Sequence, residues 1–360
     1  MTKPLPTGTG KAMKKSSRNP SVAVWAVTPG GLQIAERIAR NLEGITVYAG
    51  KNAGGPAGAL RFESLADAVE KNFAGHEGHI FVMAAGIAIR MIAPLIQSKQ
   101  TDPAVVAVDD TGKYSVSLLS GHLGGANTLA RKTADIIGAS PVITTATDRA
   151  GAPAIDMLAA GHGLETENQE AVRAVSMALV SKKRVQRYDP YGIFDAALGQ
   201  WSKSLAAPRF SDGPGIYVYH ETIALPENVL VLRPASLAVG VGCNSGTSVE
   251  ELCSTVDEVF KQHRLAIKSI RHFATISEKA SEPGLREMAA CFARPLKNFD
   301  RAELAAVKNV PTPSEMVEKH MGVKSVCEAA AILAAQTEFI TVPKHRSRNV
   351  TIAVAALPFI

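Results

Sequence analysis

From Ser21 the chain alternates short apolar runs with amphipathic ones. SVAVWAVT is followed by GLQIAERIARNLEG, whose apolar residues recur at helical spacing, and then by ITVYAG, so the opening reads as strand, helix, strand. Thr28-Pro29-Gly30-Gly31 stands at the first junction, where glycines either bring helix amides to an anion or serve the turn alone. LADAVEKNFAG reads as a helix, and HIFVMAAG as a strand running into GIAIRMIAPLIQS, a helical stretch broken at Pro94. AVVAVDD and YSVSLL flank Asp109-Asp110-Thr111-Gly112 as a hairpin. ANTLARKTADIIGA is a helix ending before Ser140-Pro141, and VITTATD is a strand with a polar carboxyl end. Residues 21–150 are therefore expected to form an α/β domain with a largely parallel sheet.

Across 151–235 the pattern weakens to one helix, NQEAVRAVSMALVSKK, and two strand-like runs, GIYVYHE and VLVLRP, among proline- and glycine-punctuated stretches. From residue 236 it restarts as strand LAVGVGC, helix TSVEELCSTVDEVFKQHRL, strand SIRHFATI, helix EPGLREMAACFAR, then SEMVEKHMG, SVCEAAAILAA and the strands FITVPK and VTIAVAAL. The expected class is α/β, with two α/β domains, 21–150 and 236–360, joined by a less regular middle region, 151–235. Proteolysis is expected to cut that middle and leave a fragment beginning near Ser236.

Length agrees, since 360 residues exceed what one core usually serves. Residues 1–20 carry five basic and no acidic residues but no apolar stretch of a secretory kind, so they read as a disordered basic tail of a cytoplasmic protein. No apolar run approaches the roughly 20 residues of a membrane span. Cys243, Cys253, Cys291 and Cys327 show no CxxC pair and no nearby histidine spacing, so no protein metal site is expected and the thiols read as reduced. A net charge of +6 and pI near 9.1 suit an acidic partner. Aromatics at 5% and scattered basic residues argue against nucleic acid, leaving a small anionic ligand. Oligomeric state stays open, a homodimer included.

The densest polar cluster is SGHLGGANTLA, Ser120–Ala130, which sets His122, Gly124, Gly125 and Asn127 between a strand and a helix. Such a loop is expected at the carboxyl edge of the sheet, where open α/β folds bind ligands and helix amides can stabilise an oxyanion. The alternative is that His122 and Asn127 cap the helix. Thr145, Thr147 and Asp148 end the next strand and come beside the first cluster if the strands pair; they can orient a histidine or cap a helix. Arg90, after the glycine-ended strand, either clamps a carboxylate or is a surface arginine, and Asp102 joins it as a third set. GVGCNSGTS, Gly240–Ser248, matches neither GxxxxGK[ST] nor GxGxxG, which weighs against a nucleotide-dependent enzyme. Cys243 is a nucleophile only if a helix terminus lowers its pKa. Lys279 and Glu282 precede a helix starting near Pro283, and Lys324, Ser325 and Glu328 flank a small-residue helix that packs against a flat ligand or against the sheet.

Taken in order, GIAIR, DPAVVAVDDTG, LLSGHLGGAN, PVITTATD, GVGCNSGTS, FATISEKASEPGL and GVKSVCEAAA make the chain resemble the cobalamin-biosynthesis family CbiG over nearly its full length. Ser98-Lys99 stands where that family tends to place an acidic residue before the lysine, and the middle region matches less well. The resemblance implies a hydrolase in anaerobic cobalamin biosynthesis that opens the lactone of cobalt-precorrin-5A and releases acetaldehyde, giving cobalt-precorrin-5B. It implies no cofactor, because the tetrapyrrole substrate carries the cobalt. In that setting His122 acts as general base or as axial cobalt ligand, Asp148 orients it, Thr145 assists, and amides near Gly124 and Gly125 receive the oxyanion. Arg90, Asn127, Cys243, Asn244, Lys279 and Glu328 join the two glycines in binding substrate. A non-catalytic tetrapyrrole carrier is the rival reading.

Overall fold

The computed structural model describes residues 21–358 except 55–57, 99–100, 123, 316–317 and 320–321. The basic tail read from residues 1–20, and Lys99, lie outside the described residues. The chain divides into two compact units, Met1–Arg149 and Ala150–Ile360.

The first unit holds a sheet of seven described strands: β1 Val22–Ala26, β2 Ile45–Gly50, β3 Leu60–Phe62, β4 Gly78–Val82, β5 Ala104–Val108, β6 Tyr114–Leu119 and β7 Ser140–Val142, in the order β3-β2-β1-β4-β5-β6-β7. The central strands β1, β4 and β5 are nearly continuous apolar runs because both faces are covered. On one face Val24, Ile80 and Val106 pack against Leu32, Ala35 and Ile38 of helix Pro29–Asn41 and Leu129 and Ala130 of helix Ala126–Ile137. On the other, Trp25, Phe81 and Val105 meet Tyr48, Phe73 and Ile92. Thr28 caps the first helix by accepting from the Gly31 amide, and a Cβ on Gly31 would lie 3.0 Å from Thr28 Oγ1 and 3.2 Å from the Val82 carbonyl. Gly31 thus answers a packing need.

One expectation is corrected. The turn at Asp109–Gly112, held by the Asp109 carboxylate accepting from the Tyr114 amide at 2.6 Å, reverses the chain, so β6 runs antiparallel to β5 and Leu119 pairs with Val105. β7 is parallel to β6. The loops that follow β6 and β7 therefore lie at the amino edge of β5, whereas the sequence placed them at the carboxyl edge of the parallel strands.

In the second unit the middle residues assemble their short elements into a sheet of five described strands, β8 Glu165–Thr166, β9 Val185–Tyr188, β10 Ser202–Ser204, β11 Gly215–Val218 and β12 Val229–Arg233, ordered β10-β9-β11-β12-β8. Its core runs from Ile155 and Val175 to Phe194, Ile216 and Leu230. The last sheet contains β13 Leu237–Cys243, β14 Ile270–Ile276, β15 Leu296–Phe299, β16 Val342–Arg346 and β17 Val350–Ala356, ordered β15-β14-β13-β17-β16. β13, β14 and β15 are parallel, and β17 is antiparallel to β13. Helices Val249–Gln262 and Pro283–Cys291 cover one face and helix Val326–Ala335 the other. The alanines of the last helix let it descend onto the sheet until a Cβ on Gly240 would lie 1.8 Å from the Cys327 carbonyl oxygen, which settles the small-residue helix as packing.

The two sheets of this unit are knitted together. The Ala266 amide donates to the His220 carbonyl at 2.8 Å, the Thr222 amide to the Arg264 carbonyl at 2.7 Å, and Lys268 Nζ to the Thr166 carbonyl at 3.0 Å. Arg294 pairs with Glu165.

Candidate functional site

The loop after β6 is shaped by close backbone approach. Ser120 adopts φ 57°, and its hydroxyl donates to the Asp102 carbonyl at 3.0 Å; the Asp102 carboxylate accepts from the Gln97 and Ser98 amides, so Asp102 shapes the loop. A Cβ on Gly124 would fall 2.3 Å from Ser120 Cβ, and Gly125 has φ 86° as the residue before helix Ala126–Ile137. The Gly125 amide donates to the His122 carbonyl at 2.9 Å, and those of Ala126 and Asn127 to the Ser120 and Gly121 carbonyls. Gly125 is therefore corrected as an oxyanion donor, because its N–H is already spent. The Gly124 amide has no acceptor among the described residues.

Pairing of β6 with β7 brings the second polar cluster against this loop. Asn127 accepts from Ser117 Oγ at 2.8 Å and donates through Nδ2 to Thr145 Oγ1 at 3.1 Å and Asp148 Oδ2 at 3.0 Å. Thr145 Oγ1 donates to Asp148 Oδ2 at 2.5 Å, and Arg131 donates to Asp148 Oδ1 at 2.6 Å. Burial would raise the Asp148 carboxyl, but hydrogen bonds from Thr145 and Arg131, with the charges of Arg131 and His122, outweigh it and hold it below the usual carboxylate range. Asp148 is thus a fixed anion. His122, half-buried, meets Thr147 Oγ1 through Nε2 at 2.8 Å, and its Nδ1 has no partner among the described residues. The orienting contact expected from Asp148 is made by Thr147 instead, because Asp148 is occupied on both oxygens. Neither His122 nor Asn127 caps the helix, whose first residue follows Gly125 without a side-chain cap. Asn127 and Thr145 are corrected in the same way: their polar atoms are used within the cluster, which makes them positioning residues.

Arg90 is exposed in the last turn of helix Ala85–Ile92 and makes no polar contact with this cluster among the described residues. In the second unit, the carboxyl ends of β13 and β14 carry another polar set. Lys279 Nζ donates to Ser245 Oγ at 2.6 Å and lies 3.7 Å from Glu282, whose carboxylate accepts from the Gly246 amide at 2.6 Å. Asn244 is bound to Asn349 through side chain and backbone. Burial pushes the Cys243 thiol up, with Lys279 opposing and Glu282 assisting, so Cys243 is corrected as a nucleophile. Glu328 is corrected as a ligand. It is fully buried, accepting from the Thr312 hydroxyl at 2.8 Å, the Thr312 amide at 3.2 Å and the Lys344 amide at 3.1 Å. Among the described residues no three His, Cys, Asp or Glu side chains converge as a metal-binding group, and no helix is long and apolar enough to cross a membrane.

Family models match all three segments: Cobalamin synthesis G N-terminal over residues 67–148, Cobalamin biosynthesis central region over 153–234, and Cobalamin synthesis G C-terminus over 237–355. The cobalt-precorrin-5A hydrolase of Priestia megaterium is 32% identical over 356 residues, covering 94% of this chain and 95% of that protein. The chain belongs to the cobalamin synthesis G family. A second relative, the cobalt-precorrin-5A hydrolase of Salmonella typhimurium, is 32% identical over 348 residues, covering 93% of this chain and 97% of its own. Protein CobE of Sinorhizobium sp is 32% identical over 123 residues, 34% of this chain and 80% of that one. The middle residues, expected to match less well, are matched almost throughout.

Within this cobalamin synthesis G chain, sequence reasoning missed Arg131 and the direct role of Thr147. Arg131 follows Asn127 by four residues, one helical turn, and that spacing puts both on the face that meets Asp148. His79 offers an instructive contrast to His122. Its Nδ1 accepts from Trp25 Nε1 at 3.1 Å, its Nε2 meets the Phe73 carbonyl at 3.0 Å, and burial pushes its pKa down to about 4. With both ring nitrogens occupied, His79 is a neutral core residue.

Proposed function

We propose that this chain is a cobalt-precorrin-5A hydrolase, which opens the substrate's δ-lactone and releases acetaldehyde to leave cobalt-precorrin-5B. The observation that carries this reading is the nearly end-to-end match to two relatives named for that activity, with all three family segments in order. The cobalt arrives with the substrate. A net charge of +6 suits a macrocycle bearing several carboxylates.

His122 takes a proton from water as the oxygen attacks the lactone carbonyl. Thr147 fixes the ring at Nε2, leaving Nδ1 to face the water. The imidazolium that forms is favoured by the nearby Asp148 anion, itself held by Arg131, Thr145 and Asn127. The Gly124 amide is the loop's available donor for the developing oxyanion. Collapse of the tetrahedral intermediate expels the ring oxygen, which takes the proton from His122 and becomes an alcohol. That hydroxyl then returns its proton to His122 as the carbonyl of acetaldehyde forms and the carbon–carbon bond breaks, and the electron pair left on the macrocycle is protonated from His122. Arg90, exposed on the same unit, offers a cation to a side-chain carboxylate.

The test is direct. Purified full-length chain mixed with cobalt-precorrin-5A should release acetaldehyde in stoichiometric amount over repeated turnovers. Binding of the macrocycle without acetaldehyde would remove the hydrolase reading and leave a carrier.

A further inference from the structure

All four cysteines are free thiols, and two of them lie on neighbouring helices of the last sheet. Cys253 is half-buried in helix Val249–Gln262, and Cys291 is the exposed last residue of helix Pro283–Cys291. Both helices lie on one face of that sheet, sharing a core through Leu252, Leu285 and Met288. They approach so closely that a Cβ on Gly284 would lie 2.4 Å from the Thr247 carbonyl oxygen. Both helices cross back between parallel strands and so run the same way, and with Cys253 six residues after Thr247 and Cys291 seven after Gly284 the two thiols stand at the same level of the packed pair.

We propose that Cys253 and Cys291 are a redox-responsive pair that a peroxide closes into a disulfide between these two helices. The order of events follows from exposure. Burial, Cys291 and the neighbouring Asp257 push the Cys253 thiol up to about 11, so it stays protonated at neutral pH, while Cys291 meets the oxidant from solvent. Hydrogen peroxide oxidises Cys291 to a sulfenic acid and leaves as water. The Cys253 sulfur then attacks the sulfenic sulfur, the S–O bond breaks, and the departing hydroxide takes the Cys253 proton as a second water. Two thiols lose two electrons, and the peroxide gains them. Cys327 is buried in the first turn of helix Val326–Ala335 on the other face of the sheet, and Cys243 ends β13 beside Lys279, so neither shares this geometry.

The experiment uses the reduced, folded, full-length chain. It is treated with limiting hydrogen peroxide, alkylated under denaturing conditions and digested without reductant. Mass spectrometry should find one linked peptide pair, lighter than the two free peptides by two hydrogen atoms, joining Cys253 to Cys291; a thiol reductant should release it. Cys291→Ser should abolish the link. Cys253→Ser should also abolish it while leaving a sulfenic acid on Cys291 for a dimedone-type trap. If oxidised wild type instead carries alkylated Cys253 beside Cys291 sulfinic acid, or if the link forms as readily in the unfolded chain, the pair is not a product of the fold and the proposal fails.

Discussion

His122 and Thr147 set the chemistry at the scale of single residues. A histidine in a glycine-rich turn has little side-chain packing to hold it, and here one hydrogen bond at Nε2 supplies the orientation while Nδ1 stays available. Asp148 lies close enough to influence the ring through its charge but is bonded on both oxygens by other groups. If His122 is the general base, His122→Ala should lower acetaldehyde release by roughly 10²–10⁴-fold with substrate affinity little changed. If it ligates cobalt instead, affinity should fall and the visible spectrum of the bound macrocycle should shift relative to wild type. Turnover unchanged in correctly folded variant would strike His122 from the site. Thr147→Val serves as the companion test of orientation: roughly tenfold or greater loss of turnover, restored by Thr147→Ser, with KM nearly constant.

Among the elements, the tight approaches of glycine are where sequence and structure are most strictly coupled. Gly124 lets the loop after β6 fold back on Ser120, and Gly240 lets helix Val326–Ala335 settle on β13. Gly240→Ala forces a methyl into a backbone carbonyl that neither helix nor strand can easily withdraw, so it should cost about 3 kcal/mol or more in urea unfolding. Gly161→Ala, which meets nothing within 4 Å, should stay within about 1 kcal/mol of wild type. Equal effects of the two would show that the helix can lift. The same elements mark what was legible beforehand. Apolar periodicity located most strands and helices of both outer sheets but not the short edge strands β3 and β15, and it extended as a strand the run VITTATD, where β7 ends at Val142 and Ala146–Ala150 is helical; two polar clusters announced the loops that meet. The hairpin at Asp109–Gly112 was legible as well; what local pattern left hidden is that β7 then pairs parallel to the reversed β6, which carries both loops to the amino edge of β5. Glu328 was misread for a related reason: a carboxylate in a small-residue helix looks available until Thr312 and Lys344, which follow different turns of the chain, are seen to close over it.

For the whole molecule the question is where the chain can be divided. Short, irregular runs between 151 and 235 suggested a connector that proteases would open, leaving a fragment from near Ser236. Ser236 is instead fully buried at a junction: its amide donates to the Ser269 carbonyl at 3.0 Å, its carbonyl accepts from the Leu357 amide at 2.8 Å, and its hydroxyl lies 3.2 Å from His220 Nδ1. Tyr191 reaches the same His220 nitrogen at 2.5 Å. Backbone bonds from Ala266 to His220 and from Thr222 to Arg264 then tie the middle sheet to the last one. A fragment starting at Ser236 would keep Ser269 and Leu357 but lose His220 and Thr222, leaving the Ser236 hydroxyl, the Ala266 amide and the Arg264 carbonyl without these partners, a cost of about 1–3 kcal/mol for each group that water cannot reach. A fragment starting at Ala150 keeps all of them. Expressed separately, residues 150–360 should therefore unfold in one cooperative transition, and residues 236–360 should melt at a lower temperature than that longer fragment. The measurement is thermal unfolding followed by circular dichroism. A 236–360 fragment that melts as high as 150–360 would mean that the junction contributes nothing to stability and that the middle sheet is merely adjacent.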